Sequence, residues 1–215
     1  MKKIHMGRKN FFMSLLTLLF SVSIASNKNQ REDYSLLDDF YMNLYVHKDT
    51  VVDITDKYMN VVLGYDVSNR FSDYEEETID SDGDSYVVNV EVFKDLQDCY
   101  MIKKILYFAF TAFGNIDMSA DCVYENGKLK WINAYKSVAS DPFSENGLEY
   151  TESCYRFYFD DYEKCIFSRK KSSSGSVEDI ESVSEALDSV DFLAEPITDK
   201  NKLLIEIKKI LSLCR

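Results

Sequence analysis

Histidine, glycine and proline are scarce in this chain, and their scarcity limits the kinds of site it can form. The 215 residues include two histidines, seven glycines and two prolines. One histidine lies in the N-terminal segment, so Ser-His-Asp or Cys-His catalysis elsewhere would have to use His47. Metal sites built from several histidines are excluded by the same count. The sequence also contains no glycine-rich phosphate-binding loop.

The cysteines lack the C-x-x-C spacing of zinc knuckles and thioredoxin-type redox centres. The five are Cys99, Cys122, Cys154, Cys165 and Cys214. Their odd number leaves at least one thiol outside any intramolecular disulfide, and the pairing of the others stays open. A bridge between Cys154 and Cys165 would need a hairpin turn centred on Phe159 and Asp160, which is poor turn chemistry.

Residues 1–25 have the pattern of a signal peptide. Four basic residues start the chain, and an apolar segment runs from Phe11 to Ile24. Ser23 and Ala25 place small residues at positions −3 and −1 of a cleavage site. We expect an exported protein, periplasmic or secreted. An uncleaved anchor is the alternative, but the apolar segment is short for a membrane span, and no later stretch is long enough to insert.

The surface of the mature chain is expected to be strongly acidic. Removing residues 1–25 takes away four basic and no acidic residues, so the formal net charge falls from −12 to −16. Such a charge repels nucleic acid and anionic membranes, and neither is an expected partner. A basic protein or a divalent cation would suit it, although solubility alone also explains it.

The apolar spacing predicts two helices at the start of the mature chain. Leu37, Phe40, Tyr41 and Leu44 fall on one helical face. A second helix is predicted over residues 51–63, with His47 in the turn between the two. Residues 86–93 are typical of a strand.

The apolar run over residues 101–113 has an ambiguous period. Met101, Ile105 and Phe108 fit one face of a helix, whereas Leu106, Phe108 and Phe110 fit one face of a strand. We favour a helix over residues 94–106 that continues or gives way to a strand.

Residues 117–136 form the clearest predicted hairpin and hold the single tryptophan. Asn126-Gly127 is typical of a type I′ turn. A two-residue turn there pairs Glu125 with Lys128 and Tyr124 with Leu129. Continuing that register pairs Cys122 with Trp131, Met118 with Tyr135 and Asp117 with Lys136, so that Trp131 lies on the apolar face with Cys122.

The C-terminal third is predicted to contain a second hairpin and two helices. The hairpin covers residues 153–170, with its turn around Asp160-Asp161, and residues 170–176 form a flexible joint. A helix capped by Ser176 and a last helix over about residues 203–214 follow. The predicted fold is therefore α+β. It has an N-terminal helix pair packed on an antiparallel sheet of hairpins, and two C-terminal amphipathic helices. The α+β domain spans residues 26–172, and residues 173–215 pack on it as a helical segment.

An acidic stretch resembles the twelve-residue calcium loop of EF-hands. Asp80, Asp82, Asp84 and Glu91 fall on ligand positions 1, 3, 5 and 12. Position 6, however, is Ser85 instead of the glycine that the sharp turn requires. The following residues favour a strand instead of the helix an EF-hand needs. A solvated acidic turn explains the same residues without Ca²⁺.

The order of elements resembles the NTF2-like α+β proteins over about residues 36–136. The resemblance rests on Phe40-Tyr41 and Leu44-Tyr45 in the first helix, and on the strand sequence ENGKLKW that ends at Trp131. It implies a cone with a pocket between a curved sheet and helices, which binds small ligands or supports dimers. It implies no catalytic residue.

The functional hypotheses follow from these exclusions. The first is a non-enzymatic binding or interaction module with a protein or small-molecule partner and no cofactor, for example an inhibitor of a basic protein. The alternatives are an NTF2-like small-ligand pocket, a carboxylate-based hydrolase, and a calcium-binding protein.

Overall fold

The computed structural model describes residues 34–62, 85–97, 99–111, 114–140, 149–195 and 201–214. Its residues form two compact units that divide between Tyr45 and Val46. In the first unit, residues 34–42 form helix α1. The apolar spacing around Phe40 predicted a helix here, and its existence is confirmed.

In the described part of the second unit, one antiparallel sheet has eight strands. The strands have the same order in the sheet as in the sequence, so each pairs with its neighbours along the chain. They are β1 (His47–Asp53), β2 (Ser85–Lys94), β3 (Tyr100–Thr111), β4 (Gly114–Glu125), β5 (Lys128–Ser140), β6 (Glu149–Phe159), β7 (Cys165–Ser176) and β8 (Leu193–Glu195). The same unit contains helices α2 (Thr55–Val62), α3 (Ile180–Ser189) and α4 (Lys202–Leu213).

One face of the sheet, the core face, packs against α2 and α4. Successive side chains of a strand point to opposite faces, so every second residue of β2–β6 enters this core. Ile207 and Ile210 of α4 and Tyr58 of α2 are fully buried in it. The Tyr58 hydroxyl also donates a hydrogen bond to Glu206 of α4, which joins the two helices. The buried strand residues include Val88, Val90, Ile105, Ala109, Met118, Ala120, Cys122, Ile132, Ala134 and Phe157.

The predicted N-terminal helix pair packed on hairpins is wrong. The helix expected over residues 51–63 begins only at Thr55, because residues 50–52 belong to β1 and pair with β2. Three β-branched residues in succession favour a strand over a helix. His47, expected in a turn between helices, is the first residue of β1. The two predicted C-terminal helices do form, as α3 and α4.

The helix favoured over residues 94–106 is also wrong, because β3 occupies this stretch. Ile105, Tyr107 and Ala109 are buried on the core face, whereas Leu106 and Phe110 lie on the opposite face and are partly exposed. Apolar residues on both faces hide the two-residue period of a strand, which is why the sequence was ambiguous.

The Asn126-Gly127 turn is confirmed, but the predicted register of its hairpin fails after two pairs. Asn126 and Gly127 have φ values of 50° and 76°, as a type I′ turn requires. The pairs Glu125 with Lys128 and Tyr124 with Leu129 form as predicted. A β-bulge then shifts the register by one residue. Beyond it the partners are Val123 with Trp131, Cys122 with Ile132, Met118 with Lys136 and Asp117 with Ser137.

The bulge turns Trp131 to the face opposite Cys122, where it pairs with Tyr158 of β6 and is buried. The extra residue of a bulge disrupts the ladder locally. Here the Leu129 N–H donates a hydrogen bond of 2.8 Å to Oε1 of Glu163, which lies in the turn between β6 and β7. This contact comes from 34 residues away along the chain, so the local pattern could not reveal it.

We expect Glu163→Ala to lower the free energy of unfolding by about 1–3 kcal/mol, because it leaves the partly buried Leu129 N–H without its acceptor. Glu163→Gln keeps a carbonyl oxygen that can accept this hydrogen bond, so its free energy of unfolding should fall by less. Urea denaturation measures both, with Glu185→Ala on the exposed side of α3 as the control. Equal losses at Glu163 and Glu185 would show that the contact does not stabilise the bulge.

The predicted flexible joint over residues 170–176 is wrong, because these residues belong to β7 and pair with β6. The small residues of this segment leave room for helix α3. A Cβ atom at Gly175 would lie 2.8 Å from Cγ2 of Val183, so glycine allows α3 to pack closely on β7. Ser176 accepts a hydrogen bond from the Glu178 N–H at 3.3 Å in the short 3₁₀ turn that precedes α3.

Candidate functional site

The sheet face opposite the core face, called the groove face, carries an open cavity of about 490 Å³. Two neighbouring cross-strand rows form its floor, and α3 forms a wall with Ser184, Leu187 and Asp188. The first row is Val87, Phe108, Asp117, Ser137 and Glu152, and the second is Asn89, Leu106, Ser119 and Tyr135. This cavity, the sheet groove, spans strands β2 to β6.

One end of the sheet groove is apolar. Val87 of β2 and Leu106 and Phe108 of β3 lie side by side on its floor. Phe110 continues this surface, with its ring edge-to-face against Phe108 at a centroid distance of 4.4 Å. Val87, Leu106 and Phe110 each leave more than a third of their surface exposed. Adjacent exposed apolar side chains in a concavity are typical of a binding surface.

The other end of the sheet groove holds carboxylates and hydroxyls. Glu152 of β6 accepts hydrogen bonds from the Tyr150 hydroxyl at 2.7 Å and the Ser184 hydroxyl at 2.9 Å. Both oxygens of Glu152 are thereby engaged, and the second bond ties β6 to α3. Ser137 of β5 lies between Glu152 and Asp117 in the same row.

Asp117 is the carboxylate of the groove that lacks a partner within the described residues. The side chain of Asp117 is exposed, but its remaining desolvation raises its pKa, and no cation or hydrogen-bond donor among the described residues offsets that effect. Lys136 of β5 also contributes to the lining, but it is the cross-strand partner of Met118. Its side chain therefore points to the core face, away from Asp117. A negative charge at Asp117 is therefore available to a ligand.

A row of alternating charges crosses the groove face beside the sheet groove. Glu91, Lys104 and Asp121 face one another across β2, β3 and β4. Lys48 of β1 extends the row, with its Nζ at 2.7 Å from Glu91. Burial raises the pKa of Asp121, and Lys104 opposes the rise. Neighbouring charges in this row are opposite in sign and offset one another, in contrast to Asp117.

The predicted calcium ligands are only partly placed. Glu91 lies in β2 and binds Lys48, while Asp80, Asp82 and Asp84 lie outside the described residues. The calcium site therefore stays a prediction. Within the described ranges, no three His, Cys, Asp or Glu side chains are grouped to hold a metal ion. None of the described helices is both long enough and apolar enough to cross a membrane.

All five cysteines are free thiols. Cys154 pairs across the strands with Lys171, and Cys165 with Phe159, so the two cysteines are not opposite each other. Burial raises the pKa of the Cys122 thiol, which keeps it protonated and unreactive in the core.

The groove residues were not predicted as a site from the sequence. Leu106, Phe108 and Phe110 were recognised as fitting one face of a strand, and that alternation was the available signal. Combined with the alternating core residues of β3, it implied a second apolar surface. Asp117 was assigned to a charge pair with Lys136 that the shifted register removes.

Comparisons with known proteins found no matching family model, no matching curated protein and no matching solved structure. The NTF2-like resemblance therefore stays a prediction.

Proposed function

We propose that this chain is an exported, non-enzymatic binding protein whose ligand site is the sheet groove. The observation that carries the proposal is the combination of an apolar floor at Val87, Leu106 and Phe108 with a polar end at Asp117 and Glu152. A cavity of about 490 Å³ lies within the size range of pockets for small molecules. The signal-peptide pattern of residues 1–25 supports export.

Contact with the apolar floor supplies part of the binding free energy of a ligand. A ligand that covers roughly 100 Å² of the apolar floor gains about 2.5 kcal/mol at 25 cal/mol per Å². The strands and α3 already hold the floor and wall in place, so little ordering opposes this gain. The polar end then orients the ligand.

Binding accounts for the two carboxylates on the groove floor, Asp117 and Glu152, better than hydrolysis does. Asp117 and Glu152 lie two strands apart, about 10 Å between their Cα atoms from strand spacing. Both Glu152 oxygens accept hydroxyl hydrogen bonds from within the chain. A catalytic carboxylate in this position must exchange a proton or attack a substrate, and these bonds hold Glu152 as a fixed acceptor.

A fluorescence titration with naphthylmethanol, a neutral apolar probe, tests the site. We expect saturable binding to the protein and about tenfold weaker binding to Phe108→Ala, because the largest apolar contact of the floor is removed. Ile166→Ala, at a partly exposed position on β7 outside the groove, is the matched control and should bind as the unchanged protein does.

Two results would overturn the proposed site. One is the absence of saturable binding by apolar probes of any charge at millimolar concentration. The other is equal probe affinity in Phe108→Ala and Ile166→Ala, with both variants shown to be folded by circular dichroism.

A further inference from the structure

We propose that the ligand of the sheet groove is a small apolar amine, whose hydrocarbon part lies on Val87, Leu106 and Phe108 and whose ammonium group binds Asp117. This inference rests on the proposed function and adds the chemical class of the ligand. It follows from the distribution of charge in the groove together with its apolar floor.

The charges that line the groove select a cation. Asp117, Glu152 and Asp188 contribute three carboxylates to its lining. Asp188 has an ion pair with Lys171 at 3.7 Å, and Glu152 has its two hydroxyl donors. Asp117 has neither within the described residues. An ammonium group would supply the charge-assisted hydrogen bonds that Asp117 lacks.

The order of side chains along the first row sets the distance between the two parts of the ligand. Phe108 of β3 lies directly opposite Asp117 of β4, so their Cα atoms are about 5 Å apart. An ammonium one or two carbon atoms from an aromatic or branched hydrocarbon group spans this distance. Ser119 and Ser137, beside Asp117 on the groove face, can accept the remaining ammonium hydrogens.

An anionic ligand of the same shape is disfavoured. Its charge would approach the carboxylates of Asp117 and Glu152, and like charges repel each other. A neutral alcohol can hydrogen-bond to Asp117 but forms no ion pair. The expected order of affinity is therefore amine, then alcohol, then carboxylate.

Three probes with one ring system test this order by fluorescence titration: naphthylmethylamine, naphthylmethanol and naphthylacetate. We expect the amine to bind about tenfold more tightly than the alcohol, and the carboxylate to bind least. Asp117→Asn should lower the affinity for the amine to that for the alcohol, and should change the affinity for the alcohol by less than about twofold. Asp191→Asn removes the same charge at an exposed position outside the groove and should preserve the preference.

The outcomes separate the two proposals. Binding of the alcohol that depends on Phe108, without preference for the amine, would keep the groove as the site and overturn the amine. A preference for the amine that survives in Asp117→Asn would overturn the role of Asp117. If N-acetyl-lysine amide binds as tightly as naphthylmethylamine, the apolar floor does not select the ligand, and a basic peptide replaces the amine as the ligand.

Discussion

Replacing Ile207 with alanine should lower the free energy of unfolding by about 2–5 kcal/mol, the largest expected effect in α4. Ile207 is fully buried where α4 covers the core face of the sheet. The substitution removes apolar contacts and leaves a cavity, because packed strands on one side and the helix backbone on the other limit relaxation. Urea denaturation followed by far-ultraviolet circular dichroism measures the loss.

The control for Ile207 lies on the same helix. Ile205→Ala removes the same atoms two residues earlier, at a position where 41% of the residue surface is exposed. Its expected loss is below about 1 kcal/mol, because little buried contact is removed. Equal losses for the two variants would show that α4 does not dock on the core face through Ile207.

Trp131→Ala should lower the free energy of unfolding by about 3–5 kcal/mol, an effect of similar size on the opposite side of the sheet. Only 1% of Trp131 is exposed, and its partner across the strands is Tyr158 on the groove face. The prediction is specific to the bulge, since the unshifted register would place Trp131 with Cys122 in the other layer. Urea denaturation by circular dichroism is required, because the variant loses the tryptophan fluorescence.

A double-mutant test distinguishes the two layers. With the bulged register, the double variant Trp131→Ala/Tyr158→Ala should lose less unfolding free energy than the sum of the two single losses, because each substitution removes a contact of the other residue. Trp131→Ala and Cys122→Ala should be additive within about 0.5 kcal/mol. The reverse pattern of coupling would contradict the bulge. Tyr162→Ala, an almost fully exposed aromatic residue, controls for loss of an aromatic ring.

The elements predicted correctly are those whose signals are local. The stripe of apolar residues in α4, the Asn126-Gly127 turn and the β-branched run of β2 each depend on neighbours within a few positions. Period, turn chemistry and propensity are sufficient there.

The elements predicted wrongly depend on distant contacts. The bulge near Leu129 is satisfied by Glu163, and the small residues around Gly175 accommodate Val183 of α3. A glycine- and serine-rich segment has the same composition in a linker and under a closely packed helix. Strand β3 has apolar residues on both faces, so its two-residue period was hidden.

The candidate site was less predictable than the fold. Asp117 and Glu152 are separated by a long stretch of sequence and meet only because β4, β5 and β6 are consecutive neighbours in register. The side chains of Leu106 and Phe108 line a cavity only because α3 provides its wall. Neither relation is present in the spacing of residues along the chain.

The order of strands along the chain also determines when the core can close. From β2 to β7, each strand pairs with the one before it across a short connection, so this part of the sheet can grow by short loop closures as the chain lengthens, which favours rapid folding. The core face of β2–β6, however, is covered by α4, at the end of the described residues. During synthesis, the apolar side of the growing sheet therefore stays exposed until α4 has been made, and chaperone protection matters most in that interval.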